Sequence, residues 1–388
     1  MSANRRTTSQ RRITLVLGGG GLKGFAHIGV LRALEEHGVV PSLYAGTSIG
    51  SLIAAAHAGG LPPDEMAHRA LGIKKRELFR IDHMAMLLER MRARSIYMGE
   101  PLRALVESSV PDCTLSELPR RLLVNTVDLR RGTQVVWGLP GLRDVKVADA
   151  VYASCALPGY FPPGVVDGRT CVDGGVIDNL PVSVAAIGSE ALIAVDVGNS
   201  DITRGGDPSS HGFAEIYMRA ATVMMHALQG APLSTWTGPP MILIRPRVSH
   251  VPWLSFAHTE ELIEEGYRAA CKALEGLDQA LDAAGGIWPR FPVRLTVNRE
   301  KCIGCGLCVA MAPTMMGLDR QRKAFARAHA VDWSPADGEF VHHCPTLAIE
   351  AVREDGRPHI ITGDAAMDEA STRRIGPPGD DEGEPSAA

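Results

Sequence analysis

From Arg12 to about Trp288 the chain alternates short apolar runs with stretches of helical periodicity. The runs at Ile13–Leu17, Pro41–Gly46, Leu122–Thr126, Val135–Trp137, Leu192–Val197 and Met241–Ile244 read as strands. Phe25 to His37 reads as a helix, with apolar residues at Ile28, Leu31 and Leu34. Ser48 to His57 is a helix of small residues, and Thr259 to Ala284 a final helix. Phe213, Ile216, Tyr217, Ala220, Met224 and Leu228 also recur at helical spacing, and they are expected to pack into the core rather than to line a groove for lipid. Alternation of this kind predicts an α/β layered domain with a mainly parallel sheet.

Gly285–Gly286, Pro289 and Pro292 interrupt the pattern and mark a boundary, after which a small cysteine-bearing unit runs to about Val352. The end is rich in Gly, Pro and acid and reads as a disordered tail, while the first residues are polar and basic and read as a disordered arm. The expected organisation is an arm over 1–11, an α/β domain over 12–288, a cysteine domain over 289–356 and a tail over 357–388.

Composition narrows the function classes. The 388 residues are 45% hydrophobic and 22% charged, with a net charge of −4, so no global field favours nucleic acid. No run is long and apolar enough to span a bilayer. Arg11–Arg12 precede Ile13–Leu17, but glycines follow at once, so the run is a buried strand rather than the core of an export signal. The expected location is the cytoplasm, with peripheral membrane contact open to it. Four of the eight cysteines are scattered and four are organised, which favours metal ligation in a reducing compartment over disulfides.

The first strand runs into Gly18-Gly19-Gly20-Gly21-Leu22-Lys23-Gly24 and then a helix. Gly19, Gly21 and Gly24 fit G-x-G-x-x-G, a spacing that also serves dinucleotides. The second strand, however, ends Ser42-Leu43-Tyr44-Ala45-Gly46 with no acid for a ribose, and no Gly-Lys-Ser/Thr follows for a nucleotide phosphate. No nucleotide cofactor is expected. Such a loop crowds backbone N–H groups at a helix N-terminus, where they stabilise an anion or a tetrahedral oxyanion. Lys23 either adds charge there or is a solvated surface lysine.

The second strand leads directly into Gly46-Thr47-Ser48-Ile49-Gly50 and a helix, the strand–turn–helix setting that gives G-x-S-x-G its meaning. The flanking glycines allow a tight turn that projects Ser48 above the sheet. A helix cap is the plainer role for a serine there, but a cap needs no glycine on both sides. No histidine stands in an evident catalytic frame: His27 reads as a satisfied helix histidine, and His57 lies more than two turns along the helix of Ser48. The better base is Asp173, at the end of an apolar strand and followed by Gly174-Gly175. Asp178 is a second carboxylate, better suited to orienting the loop.

Together these motifs resemble the patatin-like phospholipase family in its bacterial branch. Gly19-x-Gly21-x-x-Gly24, Gly46-x-Ser48-x-Gly50 and Asp173-Gly174-Gly175 match in order, supported by Ala153-Ser154-Cys155-Ala156-Leu157-Pro158 and Phe161-Pro162-Pro163. The resemblance covers residues 12–200 well and weakens toward 285. It implies a three-layer α/β/α domain and a Ser48–Asp173 dyad without histidine. It further implies an acyl-enzyme on Ser48 and an oxyanion hole from backbone N–H groups near Gly19, Gly20 and Gly21. The implied substrate is a lipid or other acyl ester. An aspartate is a weak base at its unperturbed pKa, so a dry setting is required.

Cys302-Ile303-Gly304-Cys305-Gly306-Leu307-Cys308 is C-x2-C-x2-C, and Cys344-Pro345 follows at a distance. This resembles a bacterial-type ferredoxin domain, a small α+β unit. Where a two-cluster domain carries a further cysteine before proline, this chain has Ala312 before Pro313. One [4Fe–4S] cluster on Cys302, Cys305, Cys308 and Cys344 is therefore expected, with a structural, sensing or electron-transfer role. Four-cysteine zinc sites pair as two C-x2-C units, a poorer fit.

Residues 74–98 combine Lys74, Lys75, Arg76, Arg80, Arg90, Arg92 and Arg94 with Met84, Met86, Leu87, Leu88 and Met91. They read as a cap helix with a solvated face, lipid contact being the alternative. The leading functional expectation is a lipid acyl hydrolase. The alternative is an electron-transfer or redox-sensing protein that docks a redox partner through its hydrolase-like domain.

Overall fold

The computed structural model describes residues 11–73, 78–81, 95–198, 213–248, 250–251 and 255–353. The arm, the tail and most of the basic stretch at 74–98 lie outside these. The chain divides into two compact units, one of Met1–Arg290 with Trp333–Asp337, the other of Phe291–Asp332 with Gly338–Ala388.

In the first unit the described residues form a nine-stranded sheet. Its strands are β1 (Ile13–Leu17), β2 (Leu43–Thr47), β3 (Arg121–Asp128), β4 (Thr133–Trp137), β5 (Gly164–Val166), β6 (Arg169–Asp173), β7 (Ala191–Val195), β8 (Met241–Ile244) and β9 (Ile287–Trp288). The order is β5-β6-β3-β2-β1-β7-β8-β9, with β4 also on β3. Pairings from β3 through β9 are parallel, while β4, β6 and β5 run antiparallel at one side. The sheet is thus mainly parallel, as the alternation predicts.

The parallel strands are apolar on both faces because both faces are covered. On β1, Ile13, Leu15 and Leu17 enter one core and Val16 the other. The first core receives α1 (Ala26–Glu36), α2 (Ile49–Ala58), α3 (Pro63–Gly72), α4 (Gly99–Ser109) and α5 (Val147–Cys155). Two longer helices follow, α6 (Phe213–Ser234) and α7 (Thr259–Leu274). α1 and α7 approach so closely that a Cβ on Gly29 would meet Ile263 O, and one on Gly266 would meet Ala26 O, each under 2 Å. That contact seats α1 directly behind the glycine-rich loop.

Two expectations change. The helix expected over 259–284 stops at Leu274 and resumes as a short helix over Leu277–Asp282. Gly276 stands at the break, where glycine's backbone entropy costs about 1 kcal/mol in a helix. The described part of the stripe on α6 is not core: Ile216, Met224 and Leu228 are 46, 55 and 51% exposed, and the side chains of Phe213 and Tyr217 lie outside the description. Helical period alone does not say whether a face meets protein.

The second unit holds β10 (Phe291–Val297), β11 (Met316–Leu318), β12 (Ala324–Ala326), β13 (Ala330–Trp333) and β14 (Ile349–Arg353), with α8 (Leu307–Met311). β10 lies between β13 and β14, and β11 pairs antiparallel with β12. Val293, Leu295, Ile349 and Ala351 bury the inner face of the β10–β14 ladder, whose alternation is that of a half-buried antiparallel sheet.

Candidate active site

Ser48 sits between β2 and α2 with φ 54° and ψ −130°, a left-handed conformation rare outside glycine. Such a residue stores about 1–3 kcal/mol unless its surroundings hold it. They do so sterically and by hydrogen bonds. A side chain on Gly50 would meet Leu17 O at 2.1 Å, and one on Gly46 would meet Ser51 N at 2.6 Å, so only glycine fits either side. Ser48 N–H donates to Ser154 Oγ at 2.8 Å, and Ser154 Oγ donates to Asn125 O at 2.7 Å. The Ser48 side chain makes no cap bond to its helix, so capping is not its role.

Asp173 ends β6. Strand register brings it to the serine: Thr47 pairs with Asn125 across β2 and β3, and Thr126 pairs with Asp173 across β3 and β6. The antiparallel turn of β6 is what delivers its last residue to the end of the sheet where β2 finishes. Asp173 is 2% exposed, and Gly175 N–H donates to its Oδ1 at 2.8 Å. Burial pushes its pKa up to about 6, against the pull of the Ser48 hydroxyl and the Gly175 N–H. A carboxylate in this state is a stronger base than an exposed one. Gly174 is required because a Cβ there would meet Asn125 Nδ2 and O at 2.5 Å.

The glycine-rich loop departs from expectation at Gly19. Its N–H donates to Asn179 O at 3.1 Å, and Gly18 N–H donates to Val195 O at 3.0 Å. Asn179 Nδ2 in turn donates to Gly19 O at 3.0 Å. These bonds fix the loop and spend the Gly19 donor. The N–H groups of Gly20 and Gly21 have no acceptor among the described residues, and both glycines line the cavity with Ser48. Gly24 packs against Ile49, where a Cβ would lie 2.2 Å from Cγ2.

The cavity holds about 920 Å³ and is lined by Ser48, Asp173, Gly20, Gly21 and a mainly apolar wall. Phe79 joins the wall through ring contacts with Tyr97, Phe161 and Phe256 at 5.1–6.1 Å between centroids. That volume and lining suit an acyl chain or a ligand of similar size.

Cys302, Cys305, Cys308 and Cys344 line one small pocket in the second unit. Gly304 and Gly306 take φ +71° and +79°, and a Cβ on Gly304 would meet Arg322 O at 2.3 Å, so the C-x2-C-x2-C loop turns only with glycine at that position. Backbone N–H groups of Ala324 and Ala348 donate to Cys302 Sγ and Cys344 Sγ at 3.4 and 3.3 Å. Burial pushes the Cys344 thiol up, but N–H groups of Ala348, Thr346 and Ile349 outweigh it, and the net direction is toward thiolate. Among the described residues no three His, Cys, Asp or Glu side chains gather around a single metal ion. A cubane asks for a different arrangement, one thiolate for each of four irons, and an all-sulfur donor set suits it.

Residues 15–186 match the family model described as patatin-like phospholipase. The chain carries a patatin-like phospholipase domain. Residues 295–354 match the model described as a 4Fe-4S single cluster domain, so a ferredoxin-type domain follows it. An NTE family protein of Mycobacterium tuberculosis is 35% identical over 197 residues, 50% of this chain and 52% of that one. Patatin-like phospholipase domain-containing protein 6 of Homo sapiens is 34% identical over 53% of this chain and 14% of its own length. Lysophospholipase NTE1 of Eremothecium gossypii is 30% identical over 74% of this chain and 19% of its own. The match thus spans about half the length of the first of these relatives and far less of the other two.

Within the patatin-like domain several supports of Ser48 and Asp173 are not evident in the sequence. Asn125 Nδ2 donates to Thr47 Oγ1 at 3.1 Å and to Asp178 O at 2.7 Å, and Gln134 Nε2 donates to Asn125 Oδ1 at 2.9 Å. The only signal was the Ser154 motif and the Asp178-Asn179 pair, whose roles need three-dimensional register. Asp178 acts on the loop, its Oδ1 accepting from Leu180 N–H at 3.2 Å. Lys23 is fully buried, not solvated: the tight turn after Gly21 draws it inward. His27 donates Nε2–H to Gly18 O at 2.8 Å, and burial lowers its pKa to about 4, so it is a neutral support of the loop. His57 is bonded to Tyr44 and Glu35, away from Ser48.

Proposed function

We propose that the protein is a serine acyl hydrolase that cleaves lipid or other acyl esters through Ser48 and Asp173. The observation that carries this is the meeting of a strained serine, a buried carboxylate and two unspent N–H donors at one apolar cavity. The phospholipase names of the relatives support the lipid class.

In this reading the Asp173 carboxylate accepts the Ser48 proton as Oγ adds to the ester carbonyl carbon. The carbonyl oxygen takes the negative charge and receives hydrogen bonds from Gly20 and Gly21 N–H. The intermediate collapses by breaking the ester C–O bond, and the Asp173 proton passes to the departing alcohol. An acyl-enzyme remains on Ser48. Water then adds to it with Asp173 as base, and the carboxylic acid leaves with Ser48 restored. The apolar wall excludes bulk water and keeps Asp173 basic.

The same proposal divides the folded part into a hydrolase domain over 12–288 and an iron–sulfur domain over 289–356. One [4Fe–4S] cluster is held by Cys302, Cys305, Cys308 and Cys344. When bound it supplies one-electron exchange, and a redox partner protein is the corresponding partner. The cytoplasm, with peripheral contact at a membrane, is the proposed location; no helix among the described residues is long and apolar enough to cross a bilayer.

The test is acyl release from mixed phospholipid vesicles and from a short soluble ester by anaerobically purified protein and its Ser48→Ala form. Hydrolysis lost on substitution is the expected result. No cleavage of either substrate by the intact protein would overturn the reading.

A further inference from the structure

α6 has an apolar face that is exposed among the described residues. Ile216, Val223, Met224 and Leu228 are each more than 40% exposed, and Ala220 and Ala227 between them are exposed as well. At about 100° per residue these six fall on one side of the helix. The sequence puts the segment's charged residues and its histidine, Glu215, Arg219 and His226, at other positions of the repeat, while the Tyr217 position falls within the face. A contiguous uncharged apolar face on a surface helix marks an interaction site.

The same helix also touches the catalytic cavity. Met225 lines it, and a Cβ on Gly175 would lie 2.7 Å from Met225 Cε. One turn of α6 therefore carries a residue beside the Asp173 loop, and the next positions round the helix form the exposed face. A long acyl chain is insoluble in water, and one that entered this cavity would have to leave a bilayer. An apolar surface continuous with the cavity wall lowers the cost of that transfer, because the chain need not cross water. The helix is not apolar and long enough to span a bilayer, and Pro232 interrupts it, so it is suited to lie along a membrane surface rather than to cross it.

We propose that the exposed face of α6, centred on Met224, Val223 and Leu228, docks the protein onto the surface of a lipid bilayer and sets the catalytic cavity against it. The proposal rests on the reading of that cavity as a lipid acyl site. It assigns to this helix the membrane contact that the sequence offers only as the alternative reading of the basic stretch at 74–98.

The experiment is co-sedimentation of the full chain with phosphatidylcholine vesicles, comparing the wild-type protein with a Met224→Glu, Leu228→Glu double variant. The bound fraction is expected to fall at least about tenfold, since two buried apolar contacts become two charges at the interface. Turnover of a short soluble ester stays unchanged, because neither side chain lines the cavity, while hydrolysis of vesicle lipid falls with binding. A Leu228→Trp variant, which keeps the face apolar, is expected to shift its fluorescence to the blue on vesicles and to be quenched by brominated lipid. This covers the case in which the charged pair fails to fold.

Equal sedimentation of the double variant, or an indole that stays in water, overturns the proposal. So does a dimer in solution that the double variant splits while vesicle binding persists, since the face then belongs to a second copy. Binding is measured without turnover, so an inactive protein that still binds vesicles through this face would sink the hydrolase reading and leave the docking surface standing.

Discussion

The backbone N–H of Ser48 donates to the hydroxyl of Ser154 at 2.8 Å, and that hydroxyl is itself committed to Asn125 O at 2.7 Å. Ser154 and Asn125 are buried, Ser48 is half-buried, and the residue the relay holds has φ 54°. Ser154 is therefore a positioning residue. Ser154→Ala leaves an N–H without its acceptor at the most strained point of the elbow, a loss of about 1–3 kcal/mol. With the serine free to relax, kcat is expected to fall by ~10- to 100-fold while KM changes little. The pH profile keeps its inflection, since Asp173 is untouched, and Ser154→Thr restores part of the rate. A Ser154→Ala protein with lowered melting temperature and full kcat would reduce Ser154 to a structural role.

The pH dependence follows from Asp173. With its pKa pushed up to about 6, the base is protonated and idle below that pH, so kcat/KM rises through about 6 to a plateau. His27 does not supply this inflection, because burial holds its pKa near 4. His27→Gln should leave the profile in place. A pH–rate series on a soluble ester decides the point, and an inflection that moves with His27 would reassign it.

The same shift is a statement about stability. The folded pKa of Asp173 lies above its ordinary value, so the neutral acid is the form the fold prefers. That contribution is complete below the ordinary pKa of 3.8 and is lost as pH rises through about 6. Asp173→Asn keeps the shape and never pays for the charge. Relative to the variant, the wild-type protein is expected to lose about 2 kcal/mol between pH 4 and pH 8. Denaturant titrations of both proteins across that range measure it. A difference that does not change with pH contradicts a buried, charge-averse Asp173.

The glycines give a steric prediction. Gly50→Ala and Gly24→Ala each drive a Cβ into contact under 2.3 Å, against Leu17 O and Ile49 Cγ2. Overpacking of this kind costs about 1–3 kcal/mol, and more against backbone. Gly50→Ala should be the worse of the two, because a carbonyl of β1 cannot turn aside as the Ile49 side chain can. Gly72→Ala meets open space and should lie within about 0.5 kcal/mol of wild type. Melting temperatures of the three variants rank them.

The strands and the turn at Ser48 are legible because each rests on a local rule. A continuous apolar run is a buried parallel strand, and G-x-S-x-G after a strand is an elbow. What was not legible depends on register between distant segments. Nothing within Ala153–Pro158 says that Ser154 meets Ser48, 106 residues away. Gly19 looked like an oxyanion donor because the motif counts glycines, whereas the Asn179 carbonyl that consumes its N–H comes from 160 positions later. Lys23 stays open between a loop charge and a solvated lysine in the sequence, because lysines are almost always exposed and only the fold shows this one buried. The α6 stripe shows the opposite failure: its period is real, but period alone cannot tell a core face from an exposed one.

The cysteine site gives the last test. The C-x2-C-x2-C loop, its left-handed Gly304 and Gly306, and Cys344 from the far side of the unit converge on one pocket. Cys344 lies remote in sequence, and its sulfur already accepts an N–H from Ala348 at 3.3 Å. Cys344→Ala removes one corner of a four-iron cluster while leaving the loop with its other three thiols. Iron and acid-labile sulfide per chain are expected to fall, together with the visible absorption of the anaerobically purified protein. A three-iron remnant would appear as a new signal in electron paramagnetic resonance. Ala312→Cys, at the position where a second cluster would draw a ligand, should add no iron, because no second C-x2-C-x2-C accompanies it. Soluble-ester turnover should survive Cys344→Ala, since Ser48, Asp173 and the glycine loop are held by a sheet to which the cysteine loop contributes no strand. Zinc at one atom per chain with no sulfide in the wild-type protein would refute the cluster, and iron content unchanged in Cys344→Ala would remove Cys344 from its ligands.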